Sequence, residues 1–247
     1  MSDSRRPRVS AKYQPSRTSS RATYLLAGVA IVVIAVVVIG GIIWNSQRDK
    51  GGSADQAVLA QNASLIIGKA DAPHTIDVFE DFQCPYCKQF EQASGQAMIN
   101  AANAGKLRVR YHILNFLDRN SGSGDYSSRA AGAALCVAQA GGADQFLKFH
   151  TKLFEQQPAE GGDDPDNAEL AAMAGSVGAS QQTQQCISSG ARVDAAKADA
   201  DQSLTQLSKA LGGNAGTPTV LSEGKPVANV LAGPGWLTTL LADNSAS

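Results

Sequence analysis

Two cysteines, two residues apart, stand where a strand-like run meets a helix-like one, and this junction constrains the fold more than any other part of the 247-residue chain. The stretch is FEDFQCPYCKQF, residues 79–90. The β-branched and aromatic residues of TIDVFEDF predict a strand near 75–80. After Cys84, Phe90, Ala93, Ala97 and Ala101 recur at helical spacing. LRVRYHIL then alternates, with Leu107, Val109, Tyr111 and Ile113 on one face, as a second strand does. A helix between two neighbouring strands implies a parallel crossover. The expected class is therefore α/β, with the Cys84–Cys87 motif at the strand-to-helix turn.

A long helical stretch without strand signals follows. YSSRAAGAALCVAQA (126–140) and ADQFLKFHTKLFEQ (143–156) read as two helices. DDPDNAELAAMAGSVG is a third, with Asp166 and Glu169 placed as a capping box, and SQQTQQCISSG is a fourth that ends at Gly190. Val193, Ala196, Ala200, Leu204, Leu207 and Leu211 mark a long helix stopped by Gly212-Gly213. TPTVLSEGKPVANVLAG reads as a hairpin turning at Glu223-Gly224, and WLTTLLAD as a closing helix. Without the helical block at about 122–190, the order is β-α-β, then α, β, β, α.

Charge is unevenly placed. Arg5, Arg6, Arg8, Lys12, Arg17 and Arg21 crowd residues 1–23, an Arg/Ser/Pro-rich segment expected to be disordered. Residues 24–44, Tyr24 to Trp44, carry no charge. As a helix they would span roughly 30 Å, the hydrocarbon thickness of a bilayer. The basic cluster in front predicts a single transmembrane helix with a cytoplasmic amino terminus. A cleaved signal peptide is the rival, but the apolar run is too long and no small-x-small site follows closely. Residues 45–63 read as a polar linker, and residues 64–245 as a domain on the outer face. There thiols can oxidise and stay oxidised, and all four cysteines lie in that part. The net charge of -1 argues against a nucleic-acid binder.

Three chemistries compete for Cys84 and Cys87. Zinc knuckles need four ligands, and Cys136 and Cys186 stand far away inside helical runs. A structural bridge across so small a loop would add little. A redox pair has a physical reason for its place. Unpaired N–H groups and the positive end of the helix dipole stabilise a thiolate at Cys84, Pro85 fits the first helical turn, and Cys87 lies one turn on.

FEDFQCPYC, followed after the helical block by GTPT (216–219), resembles the DsbA-like branch of the thioredoxin superfamily, and within it the membrane-anchored bacterial thiol–disulfide oxidoreductases. The resemblance covers roughly 65–245 and implies a thioredoxin fold with an inserted all-helical domain. It makes Cys84 the exposed nucleophile, Cys87 the buried resolving cysteine, and Pro85 and Tyr86 the dipeptide between them. Pro218 would be a cis-proline facing the pair, with Thr217 offering its backbone to the substrate. No cofactor or metal is implied. Many members carry a buried Glu six residues before the first cysteine, where this chain has Val78. Glu80 is the candidate substitute acid, while Asp77 reads as a solvated acid at a strand end.

Cys136 and Cys186 are expected to pair in an oxidising compartment, two free thiols being the alternative. His74, His112 and His150 read as structural, with His112 on the polar strand face beside Arg108 and Arg110. Asp163, Asp164 and Asp166 lack calcium-loop spacing and read as a turn and helix cap.

The resemblance implies an oxidase that donates the Cys84–Cys87 disulfide to reduced, unfolded exported proteins. A membrane partner of DsbB-like or vitamin K epoxide reductase-like type would reoxidise it. Pro-Tyr supplies no histidine charge, so the pair should be less oxidising than a Pro-His relative. A disulfide reductase or isomerase, and a tethered binding module without chemistry, are the alternatives.

Overall fold

The computed structural model describes residues 52–243. The basic segment, the apolar run 24–44 and the start of the linker lie outside the described residues. Among the described residues no helix is long and apolar enough to cross a membrane.

The segment read as a linker contains a helix, α1 (Gln56–Asn62). Asp55 caps it, accepting from the N–H groups of Ala57 at 2.9 Å and Val58 at 3.3 Å. Its polar composition hides it in sequence, because Leu59 is the one apolar side chain of this helix in the buried core. β1 (Leu65–Ile67), also unexpected, follows at once.

Five strands form one sheet in the order β1-β3-β2-β4-β5. β2 (His74–Glu80) and β3 (Leu107–Ile113) run parallel, pairing Ile76 with Val109 and Val78 with Tyr111. β1 joins β3 antiparallel, and β4 (Thr219–Ser222) joins β2 antiparallel. β5 (Lys225–Pro226) closes a hairpin whose turn residues Glu223 and Gly224 have φ of 50° and 77°. Positive φ at both central residues is what a type I′ turn requires.

The crossover from β2 to β3 is α2 (Pro85–Phe90), a π turn over Glu91–Gly95, and α3 (Gln96–Asn103). The helical block comprises α4 (Tyr126–Glu155), α5 (Asn167–Ser176) and α6 (Gln181–Ser188). Gly142, at φ 68° and ψ −166°, breaks α4 between the two helices read from sequence. The Asp166–Glu169 capping box closes with two 2.8 Å bonds. A disulfide joins Cys136 of α4 to Cys186 of α6 across a separation of 50 residues. In the chain-entropy model a loop of that length contributes about 4 kcal/mol. α7 (Val193–Leu211) ends at Gly212 in the left-handed conformation, and α8 (Gly235–Asp243) is last.

Both sheet faces are covered. Ile76, Val78, Val109 and Tyr111 pack on one side with Phe90, Met98, Phe146 and Phe149. Phe79 and Leu221 pack on the other with Leu59 of α1 and Leu207 of α7. This second layer corrects two expectations. Asp77 is not a solvated acid but 0% exposed, and His112 does not lie on a wet strand face. Asp77 Oδ1 accepts from Arg110 Nε at 2.7 Å and from His112 Nε2 at 2.8 Å; Oδ2 accepts from Arg110 Nη2 at 2.6 Å. His112 Nδ1 then meets the Ser203 hydroxyl at 3.1 Å. The strand face is polar because it bonds to the helices above it. The alternation of charge with apolar residues cannot distinguish that from exposure to water.

Candidate active site

Cys84 is the N-cap of α2 and Pro85 its first helical residue. The Cys84 carbonyl accepts from Cys87 N at 3.1 Å and Lys88 N at 3.3 Å, so the helix grows directly out of the first cysteine. The loop before it is fixed by Asp81. Its Oδ1 accepts from Gln83 N at 2.9 Å and the Ser127 hydroxyl at 2.6 Å, its Oδ2 from Leu117 N at 3.1 Å, and its carbonyl from Cys84 N at 2.9 Å. Burial pushes the Asp81 carboxyl up to about 7 against these bonds. Gln157, just beyond α4, donates from Nε2 to the carbonyls of Phe82 at 3.0 Å and Cys84 at 2.9 Å.

The two thiols are free and unlike. A hydrogen bond from Cys87 holds the Cys84 thiol down at about 6, against a burial penalty, with help from Thr217 and the N–H groups of Cys87 and Tyr86. Burial pushes the Cys87 thiol well up, and the bond to Cys84 and the charge on Glu80 push the same way. Cys84 is the better nucleophile at neutral pH.

Cys84 is not the openly exposed nucleophile of the sequence reading. It is 5% exposed, and Cys87 0%. The cover is the opposing loop, where the Thr217–Pro218 peptide is cis and the Thr217 carbonyl lies 3.5 Å from Cys84 Sγ. Thr217 Oγ1 is buried beside it without a hydrogen-bond partner among the described residues. Tyr86, between the cysteines, is 58% exposed, an apolar ring on the rim.

Beneath the pair lies a polar layer. Glu80, at the end of β2, is 0% exposed, and its Oε2 lies 2.9 Å from His150 Nε2. It sits two residues beyond Val78 on the same strand face, one rung nearer the cysteines than the acid of the resemblance. Glu91 opens the π turn, and its Oε2 is 3.9 Å from His150 Nδ1. Burial raises both carboxyls, Glu91 to about 8. Phe82, Tyr111, Phe146 and Phe154 ring the imidazole, their centroids 5.0–5.5 Å away. Sequence reasoning missed Asp81, Glu91 and Gln157 as site residues and gave His150 a merely structural place. Glu91 had a signal, since it stands four residues after Cys87 and so on the same helical face. His150 and Gln157 had none, because their neighbours in space are about 70 residues away in sequence.

A parallel strand–helix–strand unit, a two-cysteine helix N-terminus and an opposing cis-proline are assembled at one sheet end, and a family model described as thioredoxin matches residues 60–236. The chain belongs to the thioredoxin family. Among solved structures, this thioredoxin-family chain is similar to the thiol–disulfide oxidoreductase MdbA of Corynebacterium diphtheriae. The TM-score is 0.65 at 30% identity, over 76% of this chain and 92% of that one. It is likewise similar to reduced DsbA of Mycobacterium tuberculosis, with TM-score 0.55 and 30% identity over 70% and 95%. These neighbours place it with the DsbA-like thiol–disulfide oxidoreductases of the thioredoxin family. A curated relative is the serine/threonine-protein kinase PknE of M. tuberculosis, 39% identical over 185 residues. That match takes in 73% of this chain but 32% of the kinase, so the chain spans about a third of that relative's length.

Proposed function

We propose that this chain is a disulfide oxidase of the cell exterior, held by residues 24–44 in the membrane, that passes a Cys84–Cys87 disulfide to exported proteins. A substrate thiolate attacks Cys84 Sγ, and the electron pair of the broken bond moves to Cys87. A second substrate thiolate then attacks the first substrate sulfur, and Cys84 leaves as a thiolate. Two electrons enter the protein, and a membrane reoxidant of DsbB-like or vitamin K epoxide reductase-like chemistry would remove them.

One observation carries the direction: the Cys84 thiol is held at about 6. Each bond that lowers it stabilises the reduced protein, and a stable reduced form makes a stronger oxidant. The sign follows from the lowered value. The stabilisation is complete above the ordinary thiol range and fades as pH falls through about 6. A tethered binding module is the second reading. Similarity to a protein kinase favours it, and the pair of unlike thiols counts against it.

The test is the equilibrium potential of the Cys84–Cys87 couple against glutathione at neutral pH. An oxidase should lie nearer the roughly −120 mV of a strong oxidant than the roughly −270 mV of thioredoxin. A value near the latter would support the reductase instead.

A further inference from the structure

The turn from β2 into α2 presents two backbone donors and two backbone acceptors immediately before the helix, and all of them must find partners. Asp81 takes the donors: its Oδ1 accepts from Gln83 N and its carbonyl from Cys84 N, both at 2.9 Å. The acceptors, the Phe82 and Cys84 carbonyls, share a single atom. Gln157 Nε2 donates to them at 3.0 Å and 2.9 Å. A side-chain amide carries two hydrogens on that nitrogen, so each carbonyl has one of its own. Gln157 comes to them from 75 and 73 residues away in sequence.

The end of α4 holds that amide in place. Phe154 packs on Phe82 with ring centroids 5.1 Å apart, and Lys88 Nζ of α2 donates to the Glu155 carbonyl at 3.2 Å. Gln157 is half-buried, and Pro158 after it biases its backbone towards extended conformations. The helical block therefore grips the catalytic turn before, at and after the first cysteine. The grip on Cys84 matters most. Its backbone is extended, at φ −76° and ψ 116°, and its carbonyl begins the helix by accepting from Cys87 N at 3.1 Å and Lys88 N at 3.3 Å. A rotation about that ψ would turn the carbonyl off the helix. It would also swing the first-turn N–H groups away from the sulfur, because both move together relative to the Cα–Cβ bond.

We infer that Gln157 is a positioning residue for the exchange reaction proposed above: its amide locks the Phe82 and Cys84 carbonyls and so keeps the first-turn N–H groups of α2 aimed at Cys84 Sγ. Two effects act with one sign. A fixed turn lets the N–H dipoles act fully on the thiolate, and the amide itself sets its positive end beside the Cys84 backbone. The helical block thus acts on the nucleophile through the backbone. The other titratable groups that face Cys84 are Glu80 from β2, Asp81 from the turn and Cys87 from α2.

The test is the pH profile of Cys84 alkylation in two reduced variants. Gln157→Met keeps the length and neutrality of the side chain and removes both donors. Gln157→Glu keeps the shape and offers the two carbonyls an acceptor instead. In Gln157→Met the midpoint is expected to rise by about one unit from the wild-type value of about 6, leaving about tenfold less thiolate below it. In Gln157→Glu it should rise further, since a negative charge is added. Bonds that served stability alone would lower resistance to denaturant and leave the profile where it was. An unmoved midpoint in either variant would overturn the inference. Oxidation of the reduced wild type by oxidised glutathione is a separate arm. Its failure would sink the exchange function, whereas the alkylation profile reads the role of Gln157 whether or not exchange occurs.

Discussion

Replacing Cys84 with serine is expected to abolish thiol–disulfide exchange, whereas replacing Cys87 is expected to start the reaction and stall it. The two thiols lie one helical turn apart and differ in everything that sets reactivity. Cys84 is the N-cap of the helix, and the neighbouring N–H groups and the Cys87 thiol hold its own thiol down at about 6. Cys87 is sealed, and burial raises its thiol. Without Cys84 no ionised sulfur remains where a partner can reach one. Without Cys87 the mixed disulfide on Cys84 has no resolving thiol. Intact mass after incubation of each reduced variant with oxidised glutathione should show one glutathionyl adduct on Cys87→Ser and none on Cys84→Ser. The reverse pattern would mean that the roles are exchanged.

The largest effect on stability should come from Asp77, far from the sulfur chemistry. Its carboxylate accepts three bonds from Arg110 and His112, and Arg110 Nη2 reaches on to Gln56 Oε1 at 2.5 Å. These bonds tie β2 and β3 to α1, and through Ser203 to α7. Asp77→Ala would leave a guanidinium buried without its counter-charge. Removing one partner of a buried pair typically costs about 3–5 kcal/mol. Denaturant unfolding with the Cys136–Cys186 bond intact should show that loss. A change below about 0.5 kcal/mol, the scale of an ordinary surface substitution, would mean that water reaches Arg110 after all.

The two halves of the thioredoxin unit were legible because each element carries its own local signal. β2 and β3 have dense β-branched and aromatic residues, α7 has a strict apolar repeat, and Gly212 and Glu223-Gly224 punctuate the chain. α1 and β1 were missed because they are short and their stability comes from contacts with α7 and β3 rather than from their own pattern. The cysteine motif was equally local. The layer under it was not, since Glu80, Glu91 and His150 meet only after β2, the crossover helix and α4 have packed. Asp77 was misread for a related reason. A strand buried on both faces, one against polar helix residues, has the same alternation as a strand half in water.

The ionised Cys84 sulfur, on which nucleophilic attack and the proposed oxidising direction both depend, can be titrated directly. The rate of Cys84 alkylation in the reduced protein, followed by mass from pH 4 to pH 10, should rise with a midpoint near 6, where the Cys87 bond and the helix N–H groups hold the thiol. A midpoint near the ordinary thiol value of about 8.5 would show that these groups do not stabilise the thiolate, and would contradict the account.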